Sequence, residues 1–110
     1  MYYIYILRCE DGSLYTGITT DISRRLEEHS GSGGRGAKFT RSHKVEAVEA
    51  LWSTSGRSNA SKLEWRIKQL TRQQKLALIA DNSLLAGFIG AEAAEIYKRE
   101  KYEDHINNHI

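Results

Sequence analysis

Proline is absent from the chain, cysteine occurs once, and no apolar run approaches the length of a membrane-spanning helix. The lone thiol, Cys9, excludes an internal disulfide, and nothing in the cysteine usage points to an oxidising compartment. The opening stretch MYYIYILRCEDG lacks a basic n-region, a long apolar h-region and a small-residue cleavage site, so it does not read as a secretory signal. A cytoplasmic protein, neither exported nor embedded in a membrane, is expected. No internal repeat is present, and without proline it falls to glycine to break the chain's periodic patterns.

What is there is the composition of one globular domain. Of 110 residues, 40% are apolar and 27% charged, enough for a single modest core and too apolar for wholesale disorder. The net charge of +2 is unevenly spread. Residues 1–80 hold 13 Lys+Arg against 8 Asp+Glu, or +5, while residues 81–110 hold 3 against 6, or −3. The basic part suits a polyanion, but solvated surface accounts for such an imbalance equally well.

Tyr2 to Arg8 (YYIYILR) is aromatic and β-branched with apolar residues on both faces, which predicts a strand in the middle of a small sheet. Glu10-Asp11-Gly12-Ser13 supplies turn chemistry, and Leu14 to Thr19 continues as the partner strand of a hairpin. Asp21 caps a predicted helix over 22–29, which the glycine-rich stretch from Gly31 to Gly36 ends. Val45 to Trp52 (VEAVEALW) alternates with one break and predicts a third strand pairing with the hairpin. Ser58 or Asn59 is expected to cap a helix carrying Leu63, Ile67 and Leu70, Thr71 to start another over 72–79, and residues 84–102 to form a last helix weakened by Gly87 and Gly90. The fold class implied is α+β: a small, mostly antiparallel three-stranded sheet flanked by helices, with an extra C-terminal helix.

The informative places are those where a helix puts a polar residue on the stripe it should bury. Ile22, Arg25, Leu26 and His29 share one face of the first helix, and Ala60, Leu63, Glu64 and Ile67 share one face of a later one. Burying an unpaired ion costs several kcal/mol, so Arg25, His29 and Glu64 must reach an edge of the core or meet partners. Each has a bland explanation: the arginine stem lies along apolar surface, or Glu64 pairs with Lys68 one turn on. Three such breaks on two helices beside one aromatic hairpin argue instead for a shared polar pocket, without naming a reaction.

These same residues also resemble a known family. Tyr3-Ile4-Tyr5 is followed ten residues after Tyr5 by Tyr15-Thr16-Gly17, then by Arg25 eight residues past that glycine, His29 four later, and Glu64 within KLEWRI. The arrangement is similar to the GIY-YIG nuclease signature, and the spacing is far more specific than either tripeptide. GGRGAKFTR and the Glu-Trp pair after Leu63 resemble the small single-domain bacterial members, the YhbQ-like group. The resemblance covers about residues 1–80 and implies a nuclease-like domain over 1–82 with a helical extension over 83–110. Tyr3 stands where the name-giving glycine would be and Thr16 replaces an isoleucine, but neither position supplies catalytic chemistry in the family. The asparagine that larger relatives carry beyond the glutamate helix has only Asn82 as a counterpart here and is not carried over.

What the resemblance implies is a magnesium- or manganese-assisted endonuclease acting on DNA, by analogy on branched or damaged DNA in repair. Glu64 is a hard oxygen ligand suited to one Mg²⁺ that keeps several waters and meets a substrate phosphate. Arg25 offers bidentate, permanently charged donors to the phosphoryl oxygens. By resemblance Tyr5 is the general base or water-positioning group, with Tyr15 and His29 assisting; lowering a phenol from about 10 to about 7 would require roughly 4 kcal/mol of help. His29, titrating near neutrality unaided, is the rival base. The glycines of the loop permit close backbone approach to DNA, and Lys38, Thr40 and Arg41 are placed to contact phosphates, although an ordinary loop explains them as well. His43, His105 and His109 have no spacing that makes a zinc site with Cys9, and are read as surface residues.

Two further classes stay open. One is a nucleic-acid-binding module that keeps the pocket but cleaves only with a partner subunit; the other is a protein-interaction domain using the acidic C-terminal helix. Specific DNA interfaces bury about 1,000–2,500 Å², much for so short a chain, which favours a homodimer or protein partner. The shared-site reading also constrains the hairpin. Strand side chains alternate, so Tyr5 and Tyr15 share a face only across an odd-length loop, expected to be three residues with a glycine or bulge.

Overall fold

The computed structural model describes residues 1–29 and 44–106, the side chain of residue 106 excepted. Strand β1 (Tyr2–Cys9) runs antiparallel to β2 (Leu14–Thr19) on one side and to β3 (Val45–Thr54) on the other. Apolar side chains on both faces of β1 demand cover on both faces, and the central position supplies it. Among the described residues the sheet has four strands in the order β2-β1-β3-β4, the fourth being the two-residue β4 (Lys98–Arg99) on the outer edge of β3.

The hairpin loop has odd length, as expected. The Cys9 amide donates to the Ser13 carbonyl at 2.9 Å and the Gly12 amide to the Cys9 carbonyl at 2.9 Å, leaving Glu10, Asp11 and Gly12 as the loop. Gly12 has φ +84°, a left-handed conformation that suits glycine at the end of such a three-residue loop. Tyr5 then lies opposite Gly17 and Leu7 opposite Tyr15, so both tyrosines stand on one face. The break in VEAVEALW has a physical counterpart too. Ile6 pairs with Ala50 but Leu7 with Val48, so Glu49 is the extra residue of a β-bulge.

One face of the sheet carries Ile4, Ile6, Ala50 and Trp52, packed against Ala60, Leu63 and Ile67 of helix α2 (Arg57–Gln69) and Leu78 of α3 (Arg72–Ala80). The other face carries Tyr5, Leu7 and Leu51, packed against Ile22 and Leu26 of α1 (Ile22–His29). Local signals explain the helix starts. The Asp21 carboxylate accepts from the Arg24 amide at 3.1 Å, and Thr71 and Gln74 form a reciprocal capping box. Helix α2 departs from expectation: it begins at Arg57 behind Gly56, φ +80°, without a side-chain cap from Ser58 or Asn59.

The larger difference lies at the C-terminus. In place of one helix over 84–102 there is a 3-10 turn (Asn82–Leu84), α4 (Leu85–Ile89), α5 (Ala91–Ala94), strand β4, and α6 (Glu103–Ile106). The break falls at Gly90, φ +97°, beyond which the chain turns back onto the sheet. There Arg99 lies over the Trp52 ring, 5.1 Å from its centroid, and donates to the Ile79 carbonyl at 3.0 Å. Tyr97, 8% exposed, donates its hydroxyl to the Asn59 carbonyl at 2.7 Å. Asn82 has a structural job, accepting from the Trp52 indole at 2.7 Å. No helix among the described residues is long and apolar enough to cross a membrane.

Residues 85–99 thus complete the core, and truncating their main anchor should unfold more than a tail. Tyr97→Ala is expected to lower stability by about 3 kcal/mol, read as a fall in urea midpoint; a loss under about 0.5 kcal/mol would mean that the segment does not contribute to the core.

Candidate active site

The geometry starts from a missing side chain. A Cβ on Gly17 would sit 2.4 Å from the Tyr5 hydroxyl, well inside contact distance, so only glycine lets the phenol lie flat across β2. Laid there, the hydroxyl meets two residues one helical turn apart on α1. Arg25 Nε donates to it at 3.3 Å, and it lies 3.0 Å from His29 Nε2. Tyr15 closes the cluster, its ring 6.3 Å from that of Tyr5 and 5.2 Å from that of His29 between centroids.

Burial sets the protonation states. Tyr5 is wholly enclosed and His29 only 2% exposed. Loss of hydration pushes the Tyr5 phenol up to about 12, despite the opposing pull of Arg25. The same desolvation, reinforced by the Arg25 charge, pulls His29 down to about 4. At neutral pH the pair is a neutral phenol and a neutral imidazole sharing one hydrogen bond, whose direction follows the imidazole tautomer. Arg25 stays charged: burial alone would lower its affinity for the proton, but hydrogen bonds with Tyr5 and Glu28 outweigh that. Its Nη1 donates to the Glu28 carboxylate at 2.7 Å, which holds Glu28 below the usual carboxylate range.

Glu64 approaches from the other side of the sheet. Helix α2 packs along β1 and β2, and the Glu64 carboxylate is near enough to add to the upward push on Tyr5. Its side chain is 24% exposed and lies 3.5 Å from Lys68 Nζ, so the ion pair one turn on is also formed. Tyr5, Tyr15, Arg25 and His29 therefore converge, with the Glu64 charge acting on Tyr5 from α2, and each polar residue on an apolar stripe has a partner. Glu28 was not anticipated; its only signal is the i,i+3 spacing from Arg25. Lys38, Thr40 and Arg41 lie outside the described residues, as do His43 and His109. His105 is half-buried: it stands edge-on to Tyr3 at 5.1 Å between centroids and 3.5 Å from Glu100.

Residues 1–77 match the family profile described as the GIY-YIG catalytic domain. The chain belongs to the GIY-YIG family. Its similarity to small bacterial members is extensive: 53% identity over 81 residues to a UPF0213 protein of Pectobacterium carotovorum, covering 73% of this chain and 79% of the relative. A UPF0213 protein of Fusobacterium nucleatum is 46% identical over 79 residues, covering 72% of this chain and 77% of the relative. The solution NMR structure of the UPF0213 protein BH0048 from Bacillus halodurans is 39% identical, covers 73% of this chain and 84% of its own, and superposes with a TM-score of 0.43. The GIY-YIG domain is a nuclease domain, and the α+β architecture accords with membership.

Two outcomes check the geometry. His29 binds its proton less readily folded than unfolded, so between pH 6.5 and 4 the unfolded chain holds more protons and stability falls as pH falls through that window. The decline should reach about 3 kcal/mol at most and be absent from His29→Gln, as urea midpoints across the window would show. Gly17→Ala should displace the Tyr5 ring and reduce nuclease turnover at least tenfold; unchanged turnover would contradict a role for this contact.

Proposed function

We propose that this chain is a divalent-metal-dependent endonuclease that hydrolyses phosphodiester bonds of DNA in the cytoplasm, on branched or damaged DNA in repair. Residues 1–82 are the nuclease unit and residues 83–110 an extension. The observation that carries the reading is the Tyr5 hydroxyl held between Arg25 and His29, with the Glu64 charge near enough to act on Tyr5.

The donor set fits a metal that keeps most of its waters. Glu64 is a half-buried single carboxylate, and no group of three or more His, Cys, Asp and Glu side chains among the described residues forms a cage. One carboxylate with water and a substrate phosphate is what Mg²⁺ or Mn²⁺ accepts. When bound, such an ion neutralises phosphoryl charge and makes water easier to deprotonate.

The protein's own residues divide the remaining work. Tyr5, near 12, keeps its proton at neutral pH and is hydrogen-bonded to the His29 imidazole. In the His29 tautomer whose Nε2 carries no hydrogen, the Tyr5 proton shifts to Nε2 as the hydroxyl takes the proton of the attacking water, with Arg25 Nε steadying the phenolic oxygen. The two shifts are concerted, so no phenolate forms, His29 ends with the proton taken from the water, and Tyr5 and His29 act as one relay rather than as rival bases. Arg25, 27% exposed at its side chain, has guanidinium hydrogens left to meet a phosphoryl oxygen. Tyr15 positions the ring pair, and Lys38, Thr40 and Arg41 are assigned to DNA phosphates.

One observation favours the second reading, a module that cleaves only with a homodimeric or other protein partner. The resting site is closed, with Tyr5 fully enclosed and Arg25 paired to Glu28. Cleavage of labelled duplex, flap and four-way DNA with Mg²⁺, Mn²⁺ and chelator separates the two. Metal-dependent cutting by the wild type, lost more than a hundredfold in Glu64→Ala and in Arg25→Lys with DNA binding retained, is expected. Salt-sensitive binding without cutting by the pure protein would shift the assignment to the partner-dependent module.

A further inference from the structure

Helix α2 has a second working side. One residue past Glu64 the chain exposes Trp65, a large aromatic left 60% accessible, whereas the other tryptophan, Trp52, is completely buried. An exposed indole leaves a large apolar area in water, and with Ile96, 47% exposed in the same groove, it makes a patch rather than an isolated residue. Trp65 forms one wall of a groove of about 590 Å³ between α2 and the returning C-terminal segment. Ile89, Ile96 and Tyr97 line the opposite side, so the groove is apolar and aromatic within.

Its charge is one-sided. Lys62 and Arg66 line the groove, and no carboxylate does among the described residues. Glu92 and Glu95, on the adjoining C-terminal turn, are outside the lining. Helix α2 therefore presents its acidic ligand Glu64 toward Tyr5, and an indole between two cations on the groove side.

We propose that this groove is a subsite for an unpaired nucleobase of the substrate, stacked on Trp65, with Lys62 and Arg66 on the phosphates to either side. The chemistry is that of single-strand binding: an aromatic platform takes any base by its π-face, while cations track the backbone. A base in an intact duplex is already stacked and its face is hidden, so the groove selects DNA carrying a single-stranded stretch beside the cut phosphate. The subsite deepens the nuclease reading and rests on it for the location of the cut, but base binding itself does not require cutting.

The experiment is binding of labelled single-stranded, gapped and fully paired DNA to the full chain carrying Glu64→Ala, so that no cleavage intervenes. Adding Trp65→Ala is expected to weaken single-stranded and gapped DNA about tenfold and leave paired DNA within about twofold, while Trp65→Phe retains most of the affinity. Fluorescence gives a second readout. Because Trp52 is buried, quenching by an oligonucleotide reports Trp65, and Lys62→Glu with Arg66→Glu should abolish it. Equal affinity of Trp65→Ala and its parent for single-stranded DNA, or no quenching at saturation, overturns the subsite. If a purified partner protein quenches Trp65 and single-stranded DNA does not, the groove belongs to that protein and the proposal is wrong. A chain that binds through Trp65 and never cuts preserves the subsite and refutes the nuclease reading; one that cuts with Trp65 dispensable does the reverse.

Discussion

The contact on which the site depends is that of a phenol hydroxyl lying over a glycine. Tyr5 and Gly17 are direct cross-strand partners, and with any Cβ at Gly17 the tyrosine ring would be lifted off β2. Because the ring is down, its oxygen reaches α1, and because α1 repeats every 3.6 residues, Arg25 and His29 meet that one atom together. The three-residue turn at Gly12 sets the register that makes the pairing. A one-residue slip would send Tyr15 and Gly17 to the opposite face and dissolve the cluster.

Enclosure then turns geometry into chemistry. Exposed, Tyr5 and His29 would titrate near their ordinary values and act independently. Buried together, they move apart in proton affinity, to about 12 and about 4, so at neutral pH the phenol keeps its hydrogen and the imidazole stays neutral. The charged groups remain at the rim, where Arg25, Glu28 and Glu64 stay about one-quarter exposed. A neutral interior and a charged rim avoid the penalty of burying ions.

The sheet separates duties by face. The side bearing Ile4, Ile6 and Trp52 is core, and the C-terminal segment is spent on it, with Tyr97 and Arg99 holding α2 and α3 against the strands. The side bearing Tyr5 carries the Tyr5–Arg25–His29 cluster. Helix α2 serves both, because its buried stripe of Ala60, Leu63 and Ile67 fixes the helix while Glu64 reaches the edge next to Tyr5.

Much of this was legible in the residues themselves. Strand alternation required an odd hairpin loop for Tyr5 and Tyr15 to share a face, the one break in VEAVEALW coincides with the bulge at Glu49, and Arg25, His29 and Glu64 pointed to a polar pocket by interrupting apolar stripes. These are local periodicities, carried by neighbours a few positions apart. Where long-range packing decides, reading the chain failed. The segment after Gly90 has helix-forming residues, yet Tyr97 and Arg99 find partners on Asn59, Trp52 and Ile79 and turn it into a strand edge. Glu28 drew no reading from the sequence, and its grip on Arg25 appears only when Tyr5 fixes the guanidinium. The proton affinities of Tyr5 and His29 likewise depend on how completely water is excluded, which is set by every element that closes over them. By itself the sequence determined which groups could meet; the tertiary structure decided which of them are dry, because desolvation belongs to the assembled fold and to no single residue.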